Sequence, residues 1–125
     1  MEAKHLRIGN IVSINGADVT IKSIEYNSAI DEYFVRIFED FRQIKVSHLE
    51  PIPIIEELLL VFGFAKVDRI DFGELKPCYA IFSLAVMIRH NSFFVDWIGG
   101  NTEIKYINQL QNLYFALTGQ ELTIK

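Results

Sequence analysis

The sequence predicts an α+β fold: a small bent N-terminal β-barrel, then a helix, an antiparallel β-meander and a C-terminal helix. Three observations carry it. Short apolar-alternating runs joined by turns fill the first fifty residues. Pro51 and Pro53 mark a junction. Two stripes of helical period, one in mid-chain and one near the end, run into Gly63 and Gly119. Alternation with period two buries one face of a strand, whereas steps of three and four bury one face of a helix.

Asn10 to Ile14 is a short strand, and Asn15-Gly16 is a tight-turn dipeptide because both residues tolerate positive φ. A second strand runs from Val19 to about Tyr26. Its alternation slips once, at Ser23-Ile24, and a bulge can absorb the slip. Asn27 to Glu32 is turn-like, Tyr33 to Phe38 is a third strand and Gln43 to Val46 a short fourth. Several short strands joined by tight turns point to a barrel of SH3-like type over residues 1–50.

Proline biases the residue before it away from helix, so Leu49 to Ile52 is extended and Pro53 serves as an early helix residue. Ile54, Ile55, Leu58, Leu59 and Phe62 form the stripe of the first helix, closed by Gly63. The meander follows: Ala65 to Asp71, a turn at Phe72-Gly73-Glu74, Cys78 to Leu84, and Ala85 to Arg89 as its continuation or a separate strand. After a turn at His90-Asn91-Ser92 comes Ser92 to Ile98, and Gly99-Gly100-Asn101 breaks the chain before the last helix. That helix places Tyr106, Ile107, Leu110, Leu113, Tyr114 and Leu117 on one stripe, which predicts burial of Leu110, Leu113 and Leu117 against the meander. Residues 51–125 thus read as an α-β-meander-α subdomain. It is expected to pack with residues 1–50 as one compact unit, because the connection is short and apolar.

The 125 residues are half hydrophobic and 13% aromatic, enough to build a core without disulfides or metals. The net charge of −4 is spread evenly, with six Lys/Arg against eight Asp/Glu in residues 1–50 and again in 51–125. No linear basic cluster supports bulk nucleic-acid binding. Cys78 is the single cysteine, so no intramolecular disulfide forms. The first residues lack the apolar core of a signal peptide, and no apolar run approaches the roughly 20 residues that span a bilayer. A soluble, cytoplasmic protein with no membrane partner is expected.

Three blocks lie in order along the chain: Leu6-Arg-Ile-Gly-Asn; Leu49-Glu-Pro-Ile-Pro-Ile with Glu57-Leu-Leu-Leu-x-Phe-Gly-Phe64; and Ile104-Lys-Tyr-Ile-Asn-Gln-Leu-Gln-Asn-Leu-Tyr-Phe-Ala-Leu-Thr-Gly119. With them the chain resembles a family of small proteins from gut anaerobes of the Bacteroides group and from their phages and mobile elements. The resemblance spans nearly the whole chain, and its last block is the most specific. It implies a phage-related setting and no established activity. The family pattern often has His where this chain has Asn108, so no site built on that histidine carries over.

Cys78, His90 and Asp96 have the residue types of a thiol-nucleophile site. Cys78 lies in an apolar run with no helix N-terminus to lower its pKa, and a core residue is the better reading. The three histidines have no metal-ligand spacing, and Asp68, Asp71 and Glu74 lack the pattern of a calcium loop. Gly99-Gly100-Asn101 lacks the residues of a phosphate loop. The sequence assigns no catalytic, cofactor-binding or metal-binding residues, no cofactor and no small-molecule substrate, and an enzyme ranks last.

Two groups stand out as interaction candidates. Asn108, Gln109, Gln111 and Asn112 carry amides along the last helix, which can read base edges or peptide backbone. Tyr33, Arg36, Arg42 and Lys45 make a candidate aromatic and cationic face on the barrel for single-stranded nucleic acid. The first expectation is a non-catalytic interaction protein with a protein partner or self-association. The alternative is a nucleic-acid-associated protein binding single strands through its barrel.

Overall fold

A computed structural model describes residues 1–71, 73–82, 84–97 and 100–124. Phe72 of the expected turn, Ser83 within the expected Cys78-to-Leu84 strand, Ile98, Gly99 and the side chain of Asp71 lie outside that description. The fold is α+β, with two antiparallel sheets and two helices among the described residues.

The chain divides into two compact units. The first holds residues 1–53 together with 106–121, and the second holds residues 54–105 with 122–125. The expected division at residue 50 therefore differs at one element, since the last helix joins the N-terminal sheet.

The first sheet runs in order β1 (Ile11–Ile14), β2 (Ala17–Asn27), β3 (Glu32–Ile37) and β4 (Gln43–Lys45). β2 is the long strand that makes the sheet curl. Its residues 17–20 pair with β1 and its residues 21–27 pair with β3. The register slips between Ile21 and Ser23, so Lys22 is the extra residue and Ile21 and Ile24 stand opposite Ile37 and Val35. That bulge takes up the break in alternation visible in the sequence. A 3-10 turn at Val46–His48 then leads to Glu50, whose N–H and C=O exchange bonds with Ser13 of β1 at 2.9 and 2.8 Å. Inside the half-barrel lie Leu6, Val12, Ile14, Val19, Ile21, Val35, Ile37, Ile44, Val46 and Leu49.

The last helix, α2 (Ile107–Thr118), stops at Gly119, whose φ of 74° is the left-handed conformation glycine adopts at no steric cost. The Gly119 N–H bonds the Phe115 carbonyl at 2.8 Å. At the other end, the Gln109 side chain accepts from the Tyr106 N–H at 3.1 Å. The buried residues are Ile107, Asn108, Leu110, Gln111 and Tyr114. The buried stripe is thus turned toward the amides, leaving Leu113 half-buried and Leu117 38% exposed.

In the second unit, α1 spans Glu56–Val61, shorter than the sequence stripe because Pro53 to Ile55 remain extended and outside it. Gly63, at φ 92°, closes it: the Gly63 N–H bonds the Leu60 carbonyl and the Phe64 N–H bonds the Leu59 carbonyl, the double bond of a Schellman motif. The meander has five strands in sequence order, β5 (Ala65–Asp71), β6 (Glu74–Ile81), β7 (Leu84–Arg89), β8 (Ser92–Trp97) and β9 (Gly100–Ile104). Three details differ from expectation. Leu84, expected at the end of the strand from Cys78, opens β7. β6 starts at Glu74 and tolerates Pro77, which pairs with Asp68 beyond the stretch bonded to β7. The Gly100-Asn101 region, expected as a break, is an edge strand paired with β8.

Tyr79 of β6 is buried and donates to Glu56 of α1 at 2.7 Å. Burial, then this bond, pushes its hydroxyl from 10.0 up to about 12. The raised pKa means the neutral phenol stabilises the fold below pH 10, and that contribution fades as pH rises through 10 to 12. Tyr79→Phe should therefore flatten the loss of stability over this alkaline window, measured by urea unfolding at several pH values.

Candidate functional site: the amide face of the last helix

The amides of α2 meet the loop that precedes β1. Gln111 accepts from the Ile11 N–H at 2.8 Å and donates to the Gly9 carbonyl at 3.1 Å, completing a two-way bond to the main chain. Asn10 donates to Asn112 Oδ1 at 2.8 Å, and Arg7 donates to the same oxygen at 2.9 Å. Asn108 and Asn112 both donate to the His5 carbonyl, at 3.3 and 3.1 Å. Arg7 also pairs with Glu121 and lies over the Phe115 ring, 4.1 Å from its centroid. Asn10 Oδ1 in turn accepts from the Arg7 N–H at 2.7 Å, shaping the loop.

Gln111 is 1% exposed and Asn108 4% exposed, so these two candidates face inward rather than toward a partner. Their amides satisfy main-chain groups on a segment a hundred residues away. This arrangement clamps the helix to the loop: planar amides give donor and acceptor at once, which a strand end with free N–H and C=O groups needs. Gln109 is exposed, and Asn112 is half-buried. Together with Asn108, His5 and Tyr106 they line a groove of about 850 Å³. The Oδ1 of Asn108 is buried and has no hydrogen-bond partner.

The barrel candidates do not form one face. Arg36, opposite Gln43, and Lys45, opposite Phe34, share the outer side of the sheet, whereas Tyr33 falls with Val35 and Ile37 on the inner side. Tyr33 packs on Tyr26 with ring centroids 4.9 Å apart. Each cation has a carboxylate within reach: Arg36 with Glu25 at 3.2 Å, Arg42 with Asp40 at 2.6 Å, and Lys45 with Glu32 at 3.2 Å. Positive charge already paired in this way offers little to a phosphate backbone.

Cys78, His90 and Asp96 are kept apart. Cys78 is buried with Ala85 and Met87, and burial pushes its thiol pKa up. His90 occupies the tip of the β7–β8 turn, four rungs from Asp96, which pairs with Arg69 at 2.9 Å. Among the described residues no group of three or more His, Cys, Asp or Glu is placed to hold a metal ion, and no helix is long and apolar enough to cross a membrane.

Comparison of the chain with known protein families, curated proteins and solved structures gives no match. The surface that sequence reasoning missed is on the meander. Ile70 of β5 and Leu75 of β6 stand opposite each other in the ladder and are 72% and 70% exposed. Two apolar residues flanking a turn read as an ordinary hairpin, and nothing in their spacing tells that they stay exposed.

Proposed function

We propose that this chain is a non-catalytic interaction protein, of the phage- or mobile-element-associated kind its resemblance implies, and that the β5–β6 hairpin is its contact surface. The observation that supports this reading is the Ile70–Leu75 pair. Leaving two large aliphatic side chains together in water forgoes burial worth roughly 1.5–3 kcal/mol each, a cost that a partner removes. The first sheet serves as the scaffold, and we read it as SH3-like. Its support is the curled four-strand order, the 3-10 turn after β4 and the return of Glu50 to β1.

A photo-activatable residue at position 70, used in the cell that encodes the chain, tests the surface. The expected result is a covalent adduct with a protein, identified by mass spectrometry and bound again when purified. Loss of that adduct on Leu75→Ser should follow. If position 70 gives no adduct while a probe at another surface position does, the hairpin is not the contact surface.

A further inference from the structure

The interaction reading leaves the partner open, and β5 narrows it. β5 is the edge of its sheet, and residues 65–70 are all exposed. An edge strand has unpaired main-chain donors and acceptors along its free side, and charged side chains ordinarily deter a stranger from pairing there. Here the order of the charges, Lys66-Val67-Asp68-Arg69, matters. When two copies of a strand pair antiparallel about a two-fold axis, the residue on the axis faces itself and its neighbours face each other. Centring on Lys66, Asp68 or Arg69 sets like charges opposite. Centring on Val67 sets Lys66 against the second copy's Asp68, twice, and opposite charges across a ladder attract.

The same register accounts for the exposed apolar residues. Lys66, Asp68 and Ile70 share one side of the sheet with Leu75, Pro77 and Tyr79, their ladder partners. Tyr79 reaches Glu56, the first residue of α1, on that side. The two-fold axis keeps corresponding sides together. It brings the hairpin tip of one copy, Ile70 and Leu75, beside the start of β5 in the other, where α1 ends in the exposed Leu60 and Val61. Two apolar patches that are separate in one copy become neighbours in two.

We infer that the occupant of this surface is a second copy of the chain, bound as an antiparallel β5–β5 homodimer about Val67, with Lys66–Asp68 pairs and Ile70 and Leu75 against the other copy's Leu60 and Val61. This rests on the reading of the hairpin as a contact surface and names its partner.

Sedimentation velocity on the full chain over a concentration series tests it, with circular dichroism to verify that each variant is folded. The wild type should show a monomer–dimer equilibrium. Lys66→Asp places Asp against Asp68 and should weaken association about tenfold or more, and Asp68→Lys should do the same with two lysines. The double exchange Lys66→Asp with Asp68→Lys restores both pairs and should bring the dimer back to within about threefold of wild type. A protein that stays monomeric throughout the series, or a dimer indifferent to the single reversals, overturns the inference. A monomer that still gives a position-70 adduct with another protein overturns the homodimer alone and leaves the contact surface standing.

Discussion

Leu110→Ala should lower the free energy of unfolding by roughly 2–5 kcal/mol, because it removes a fully buried side chain and leaves a cavity that the neighbours fill only in part. Leu117→Ala, at the far end of the same helix and partly in water, should cost less than about 1.5 kcal/mol. Urea unfolding of both variants, followed by circular dichroism, separates the two. Equal losses would mean that the hydrophobic stripe runs the whole length of α2 and not through its first two turns.

Gln111→Ala should rival it. The substitution strips the Ile11 N–H and the Gly9 carbonyl of their partner at once, and each main-chain group left without a bond in a half-buried place costs about 1–3 kcal/mol. A total on the order of 2–4 kcal/mol is expected. Gln109→Ala, two residues away and exposed, loses the bond it accepts from the Tyr106 N–H and should cost about 1 kcal/mol. The same unfolding experiment measures both. If Gln111→Ala is as mild as Gln109→Ala, the clamp between α2 and the first loop contributes little, and Gln111 becomes available for another role.

Much of the fold was legible because its signals are local. Asn15-Gly16 gives a two-residue turn with both φ values positive, joining Ile14 to Ala17. The slip at Ser23-Ile24 marks the bulge, and Gly63 and Gly119 end the helices they were expected to end. Where the reading failed, the deciding partner lies far away in sequence. Gly100-Asn101 looks like a break, since glycine and asparagine favour turns, and pairing with β8 overrides that preference. The amides of α2 look like a solvated face, because a glutamine that bonds water and one that bonds Gly9 are the same letter. The candidate cations on the barrel were legible one at a time. Strand alternation and three nearby carboxylates, which single residues do not announce, decided what they make together.

Residues 54–105 are inserted between the two stretches that build the first unit, and this has a kinetic consequence. The Ile54 N–H bonds the Lys105 carbonyl at 3.0 Å, so the folded insert holds its own ends together. Bringing the ends of an open chain of that length together costs roughly 3–4 kcal/mol of loop-closure entropy, before any constant term. A meander of sequential hairpins has mostly local pairings, which form faster than pairings between distant parts of a chain. Once formed, it presents Pro53 and Tyr106 side by side, and the search that α2 must make for Arg7, Asn10 and Ile11 shrinks to a short tether. On the ribosome, the same order is imposed by synthesis: the first sheet emerges before the insert, and its clamping helix is made only after it.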